Sequence, residues 1–237
     1  MNLILALLII IIPLIADFGV RFTYKKYLEV QNIKGLTGQE VARKILDNHG
    51  LQNIYVVETK GYLSDHYDPK RKVIRLSKDV FNGTSVASIA IAAHECGHAI
   101  QDKEDYKPMK LRSMIVPVVN IATSISYYII LIGFLLSALD LIYLGIGLTS
   151  FGLIFQIITL PVEFNASNRA KKEIESEGIA NTSEQEAVNK VLISAALTYV
   201  AGVLASALQI LRLLMIANNR DLMHFNLCIF HLHKILK

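Results

Sequence analysis

His94, Glu95 and His98, in the run His94-Glu95-Cys96-Gly97-His98, are the residues whose types and spacing suit chemistry. On a helix His94 and His98 project about 40° apart, so both imidazoles can reach one ion. Two such histidines with a glutamate after the first are the ligand pattern of a zinc-dependent hydrolase. Glu95 lies about 60° round from His98, where its carboxylate reaches a water on the metal and can act as general base. Cys96 points about 200° from His94 and reads as a small core side chain, not a ligand. Gly97 falls near the His94 side, where the missing side chain lets a neighbouring backbone or a substrate approach. The surrounding run, 86–100, is otherwise apolar. Burying two histidines and a glutamate there without a partner is costly, and a metal ion satisfies all three.

A catalytic zinc takes three protein ligands and keeps a position for water. The extended pattern with a third histidine is absent, because Gln101 and Glu104 stand where it needs Gly and His. Glu104 is also on the wrong face of the helix. The third ligand is therefore sought on another element. Two apolar blocks, 113–139 and 141–162, are separated only by Asp140. Each is long enough, at about 1.5 Å per residue, to cross a hydrocarbon core of about 30 Å, and so short a connection makes them a hairpin. Residues near Arg112 and Glu163 then lie on the same side. Glu163 opens the helix-compatible stretch 163–172 and is the leading candidate, the alternative being an interfacial carboxylate paired with Arg169 or Lys172. Glu173, Glu175 and Glu177 read as a solvated face. His66 reads as a structural hairpin histidine or an aid to the transition state. His49 reads as a helix-end histidine, favoured there by the helix dipole. His224, His231 and His233 carry no specific signal.

The elements that must position these residues follow from hydropathy and charge. In 237 residues, 53% are hydrophobic and concentrated in blocks, and mean hydropathy is +0.42. That describes a membrane protein with a modest soluble part. The net charge of +4 is spread over short segments with no basic run interleaved with aromatics, so nucleic acid is not an expected partner. Two distant cysteines are no disulfide framework. The first block, 1–20, lacks a basic start and a small-residue cleavage site, and reads as an uncleaved anchor. The fourth block, 191–217, is long enough to span and carries Arg212. Basic residues flank 21–112 and 163–190, which the positive-inside rule places in the cytoplasm. The predicted order is thus an anchor at 1–20, a cytoplasmic segment at 21–112, a transmembrane hairpin at 113–162, a cytoplasmic helix at 163–190, a fourth transmembrane helix at 191–217 and a tail at 218–237.

The 21–112 segment reads as a small α+β unit. Thr37 and Glu40 form a capping box ahead of Val41, Ile45 and Leu46, with Gly50 as the stop. The stretch 51–57 is β-prone, and 61–67 and 72–76 flank a turn at 68–71. The 72–76 strand is expected to offer an edge to an extended substrate.

Four runs together carry a family resemblance: Ser64-Asp65-His66-Tyr67-Asp68-Pro69, Arg75-Leu76-Ser77, Ala92-Ala93-His94-Glu95-Cys96-Gly97-His98-Ala99-Ile100-Gln101 and Pro161-Val162-Glu163-Phe164-Asn165-Ala166-Ser167. The chain resembles, over residues 1–221, the YugP-like family of bacterial membrane zinc metallopeptidases. The resemblance implies an α+β zincin-like catalytic unit fused to transmembrane helices in a mostly α chain. It implies one Zn2+ on His94, His98 and Glu163, with Glu95 as the catalytic base. The expected partners are a peptide or protein substrate, membrane proteins among them, and the lipid bilayer of a bacterial cell membrane that the chain crosses several times. The family pattern has Asp at position 165, where this chain has Asn165, which cannot lend negative charge to a histidine. Two rival readings remain: an intramembrane metalloprotease using Asp140 as a ligand, and a non-catalytic zinc-binding membrane scaffold. Asp140 lacks a following glycine, and Glu95 has no use in a structural site.

Overall fold

A computed structural model describes residues 2–235, with side chains described over 3–218. The remaining side chains of the tail, those of His224, His231 and His233 included, lie outside the described residues. The chain is mostly helical, with one small sheet and several apolar helices. Helix α1 (Asn2–Leu28) precedes α2 (Gly38–Asn48), then strands β1 (Tyr55–Thr59), β2 (His66–Asp68) and β3 (Val73–Ser77). The short α3 (Lys78–Phe81) leads to α4 (Val86–Lys103), followed by three long helices, α5 (Lys107–Leu135), α6 (Leu139–Ser176) and α7 (Thr182–Ile235).

Local chemistry explains the elements between α1 and α5. The Thr37 side chain accepts from the Glu40 amide and the Glu40 carboxylate accepts from the Thr37 amide, closing the capping box that starts α2. Gly50, at φ 66°, turns the chain out of that helix. Asp68 Oδ1 accepts from the amides of Lys70 and Arg71 and so folds the turn between β2 and β3. Those strands pair antiparallel, with Tyr67 opposite Ile74, whereas β1 joins β3 in parallel. The sheet order is β1-β3-β2. This corrects the expected free edge at 72–76: β3 is the central strand, its hydrogen bonds taken on both sides.

The chain divides into two compact units. The unit formed by residues 15–113 and 158–200 is built round α4. Ala90, Ala92, Ala93, Cys96 and Ala99 on that helix are all buried, and their small size lets neighbouring elements come close. Ile45, Leu46, Ile74, Leu76, Ile174 and Leu192 complete this core. Cys96 is fully buried, with its thiol directed at the Ala42 carbonyl oxygen at 3.5 Å, which is the core role its helical position predicts.

In the unit formed by 1–14, 114–157 and 201–237, Ile142, Ile146, Leu213 and Ala217 make a small core. The break between α5 and α6 falls at 136–138, where Ser137 takes φ 54°, and not at Asp140. Asp140 lies in the first turn of α6, where a carboxylate favours the helix dipole. Helices α6 and α7 run on through 162 and 190, so neither hydropathy boundary is a break in the backbone. Hydropathy changes there without any glycine or cap to stop the helix, and Pro161 is accommodated inside α6. Among the described residues, four helices are long and apolar enough to cross a membrane: Leu3–Leu28, Lys107–Leu135, Leu139–Ser176 and Thr182–Asn218.

Candidate metal centre

His94 and His98 stand one turn apart on α4, and Glu163 faces them from α6. Among the described residues, these three form the group whose side-chain atoms converge as a metal site would require, all within 4.8 Å of one another. Their approach depends on small residues. A Cβ on Gly97 would lie 2.5 Å from the carbonyl oxygen of Ala166, so the two helices touch through backbone there. Glu163, Ala166, Ser167 and Ala170 share the face of α6 that makes this contact, and each is buried. A Gly97→Ala chain is expected to push α6 away at a cost of about 1–3 kcal/mol. Its thermal midpoint should fall, and its zinc affinity with it, as a paired melt and zinc titration would record.

Each imidazole is oriented from behind. His98 Nδ1 lies 3.0 Å from Gln101 Oε1. Gln101 Nε2 in turn donates to the Val162 carbonyl at 2.8 Å and to Asn165 Oδ1 at 3.0 Å. Because the amide nitrogen is used twice as a donor, Oε1 is the acceptor, His98 carries its proton on Nδ1, and its Nε2 offers a lone pair. His94 Nδ1 is held by Ser167 Oγ at 3.2 Å. Both Nε2 atoms then face Glu163 Oε2, at 3.4 Å from His94 and 3.5 Å from His98.

Those separations are long for hydrogen bonds, whose usual N···O distance is about 2.9–3.0 Å. Glu163 Oε2 is buried and has no hydrogen-bond partner. Ligands about 2.0–2.1 Å from a tetrahedral zinc stand about 3.4 Å from each other. The three residues therefore fit zinc: two imidazoles and one carboxylate, with each imidazole nitrogen at about that spacing from the carboxylate oxygen. The other oxygen, Glu163 Oε1, is 3.5 Å from Arg112 Nη1, so the two residues at the ends of the apolar pair of helices meet.

Electrostatics agree with a cation site. Burial opposes ionisation of Glu163, but the two imidazoles beside it hold its carboxyl far below the usual range. Burial also disfavours a charge on His98, yet the nearby carboxylates of Glu163 and Glu95, with Gln101, together raise its pKa. Glu95 is 7% exposed and lines, with His94, a cavity of about 190 Å³. Asp65 lines the same cavity and accepts from the Ser77 amide at 2.7 Å and hydroxyl at 3.0 Å. Burial pushes the Asp65 carboxyl up, Ser77 opposes this, and the charge of Glu95 adds to the rise.

The other expectations sort plainly. Asn165 does not touch a histidine; its Oδ1 accepts from Gln101 and from Arg169 Nε at 2.8 Å, one residue removed from His98. Arg169 continues to Glu104 at 2.6 Å and so is not the partner of Glu163. His66 is exposed on β2 with Nδ1 against the Ser64 carbonyl, a structural hairpin residue. His49 caps α2 and pairs with Glu173 at 3.0 Å. Asp140 is not in the metal cluster. Gln101, Ser167 and Arg112 are the partners that sequence reasoning passed over. Gln101 alone carried a signal, its place one turn beyond His98. A Gln101→Leu substitution removes the Oε1 acceptor at similar volume, and zinc affinity is expected to fall about 10–100-fold, measured by competition with a chelating dye.

The three residues form a candidate metal site, and comparison with known proteins shows the family of the chain. Residues 2–218 match the family described as "Putative neutral zinc metallopeptidase", and the chain belongs to that family. It is 50% identical over 207 residues to "Putative membrane protease YugP" of Bacillus subtilis (strain 168), across 87% of this chain and 92% of that protein. No solved structure matches the chain.

Proposed function

We propose that the chain is a membrane-bound zinc-dependent metalloendopeptidase, a zincin-like unit carried by transmembrane helices, with its site at the cytoplasmic face of a bacterial cell membrane. The carrying observation is the convergence of His94, His98 and Glu163, whose ligand atoms lie within 4.8 Å of one another, with Glu95 opening on the same cavity as His94.

Zinc held by His94, His98 and Glu163 would polarise the peptide carbonyl and lower the pKa of a water bound to it towards ~7. The chain's own residues do the rest. Ser167 and Gln101 fix the two rings, and Glu163 supplies the anionic ligand oxygen. Glu95 takes the proton from the attacking water and passes it to the nitrogen of the leaving amine as the C–N bond breaks. The low exposure of Glu95 strengthens these charge interactions by excluding bulk water.

The membrane assignment rests on the four apolar helices and on their outward apolar surface, with Leu3 72%, Phe18 71% and Met114 75% exposed. The segments 1–20, 113–162 and 191–217 are the proposed crossings. The basic residues around 21–112 and 163–190 favour the cytoplasm for the site. The contact of Arg112 with Glu163 supports a hairpin that returns the chain to the side it left. Substrates are peptides or proteins, membrane proteins among them.

Two experiments test the reading. In cells, proteins that accumulate with the Glu95→Gln chain relative to the unsubstituted chain are its substrates; indistinguishable proteomes would speak against it. Cysteine labelling at exposed Tyr62 and at Asp140 from each side of the membrane should report opposite sides. Labelling from one side only would contradict the topology.

A further inference from the structure

A peptidase chooses among bonds by the side chains it can seat beside the one it cuts. A single methylene in an apolar pocket is worth about 10–200-fold in that choice. The cavity of about 190 Å³ that His94 and Glu95 share is walled by Val20, Leu63, Ile91, Val191, Leu192 and Ala195. These six come from α1, the loop between β1 and β2, α4 and α7. Ile91 precedes His94 and Glu95 by three and four residues, so the apolar wall begins one helical turn from the base. An apolar-lined space of about 150 Å³ takes a group the size of benzene. This cavity therefore suits one branched aliphatic or aromatic side chain. Its polar lining does not call for a charged guest. Both oxygens of Asp65 accept from Ser77, and the Ser194 hydroxyl donates to the Val191 carbonyl at 2.7 Å.

One wall residue has a backbone that its type does not favour. Leu63 takes φ 53°, in the left-handed region where a bulky apolar residue is an outlier. Among the described residues the other non-glycine positions with positive φ are Lys72, Asp105 and Ser137, all polar. Such a conformation persists only where its surroundings enforce it. Here the chain is tied on both sides of Leu63. The Tyr62 ring meets Tyr24 edge-on with centroids 5.2 Å apart, and the Ser64 hydroxyl donates to the Gly61 carbonyl at 3.2 Å. Asp65 is fixed by Ser77. Glycine or asparagine would adopt this backbone at less cost, yet the position carries a side chain that completes the cavity wall.

We propose that Leu63 is a specificity-determining residue, and that the cavity it walls seats an apolar side chain of the substrate, Leu or Phe in size, adjoining the scissile bond. The inference rests on the peptidase reading and names its substrate class: peptides with a large apolar residue next to the bond that is cut. An extended chain advances about 3.3 Å per residue. A bond held beside Glu95 thus brings the next side chain within reach of Ile91, about 5.4 Å away along α4.

The test uses the purified, zinc-loaded full chain in detergent and a peptide it cleaves, with the cut bond located by mass spectrometry. The residue on each side of that bond is varied in turn through Gly, Ala, Leu, Phe, Asp and Lys. At one of the two places Leu or Phe should exceed Gly, Asp and Lys by at least about tenfold in kcat/KM. Leu63→Asn tolerates the left-handed backbone but makes the wall polar. It should lower the Leu-to-Gly ratio about tenfold at unchanged zinc content, whereas Leu63→Met, still apolar, should hold the ratio within about threefold. Should Leu63→Asn not fold, Ala195→Leu fills the same cavity and should lower the ratio likewise. Equal rates for Leu and Gly at both places, a preference for Asp or Lys, or a ratio that Leu63→Asn or its substitute leaves unchanged would each overturn the proposal. If the unsubstituted chain cleaves no peptide, the peptidase reading falls and takes this inference with it. Cleavage without side-chain preference removes the inference alone.

Discussion

A Glu95→Gln chain is expected to keep one zinc ion and to lose peptide cleavage by about 10²–10⁴-fold, the usual worth of a positioned general base. The amide has the shape of the carboxylate but cannot take a proton from water. Glu95 is not one of the three converging ligands, so the metal should stay. Its neighbours in the helix core, Cys96 and Ala92, should not move, because volume is conserved. Zinc content by atomic emission and kcat/KM on a peptide substrate separate the two effects. A chain that lost metal and activity together would make Glu95 a ligand.

Glu163→Gln is the second large effect, and it should strike the metal itself. The carboxylate is 2% exposed, with one oxygen turned to the two imidazoles and the other to Arg112. Its amide replacement keeps the volume but loses the charge that both the cation and Arg112 see. Changes to the groups behind a ligand cost about 10–100-fold in metal affinity, so loss of an anionic ligand should cost more than about 100-fold. Ligand binding to the folded state also stabilises it, by about 2.7 kcal/mol at a hundredfold excess over Kd. Zinc should therefore raise the thermal midpoint of the unsubstituted chain, and a chelator should lower it again. In Glu163→Gln the same zinc concentration should shift it little. An undiminished zinc-dependent shift would assign the third ligand elsewhere.

Much of this centre was legible in the sequence because helical spacing alone brings His94 and His98 to one face. Glu163, the proposed third ligand, was less so, since it lies 65 positions downstream of His98 and needed both the hairpin geometry and the family resemblance to single it out. Arg112 and Glu163 do meet, although the turn falls at 136–138 rather than at Asp140. A hydropathy plot marks where charge interrupts an apolar run, and Asp140 does so from inside a helix. The capping box at Thr37 and the turn at Asp68 are local chemistry and read correctly. The place of β3 at the centre of the sheet did not, because strand order comes from a parallel pairing across the chain that no local pattern records. The link between Asp65 and Ser77 is of the same kind: two short runs, each uninformative alone, meet in the fold.

The most direct measurement is peptide cleavage by the purified full chain before chelation, after chelation and after stoichiometric zinc is restored. Cleavage should vanish with the metal and return with one zinc per chain, and the Glu163→Gln chain should not recover at that concentration. Cleavage that persists after complete removal of zinc, or its absence from a fully zinc-loaded chain across a broad peptide panel, would contradict the account.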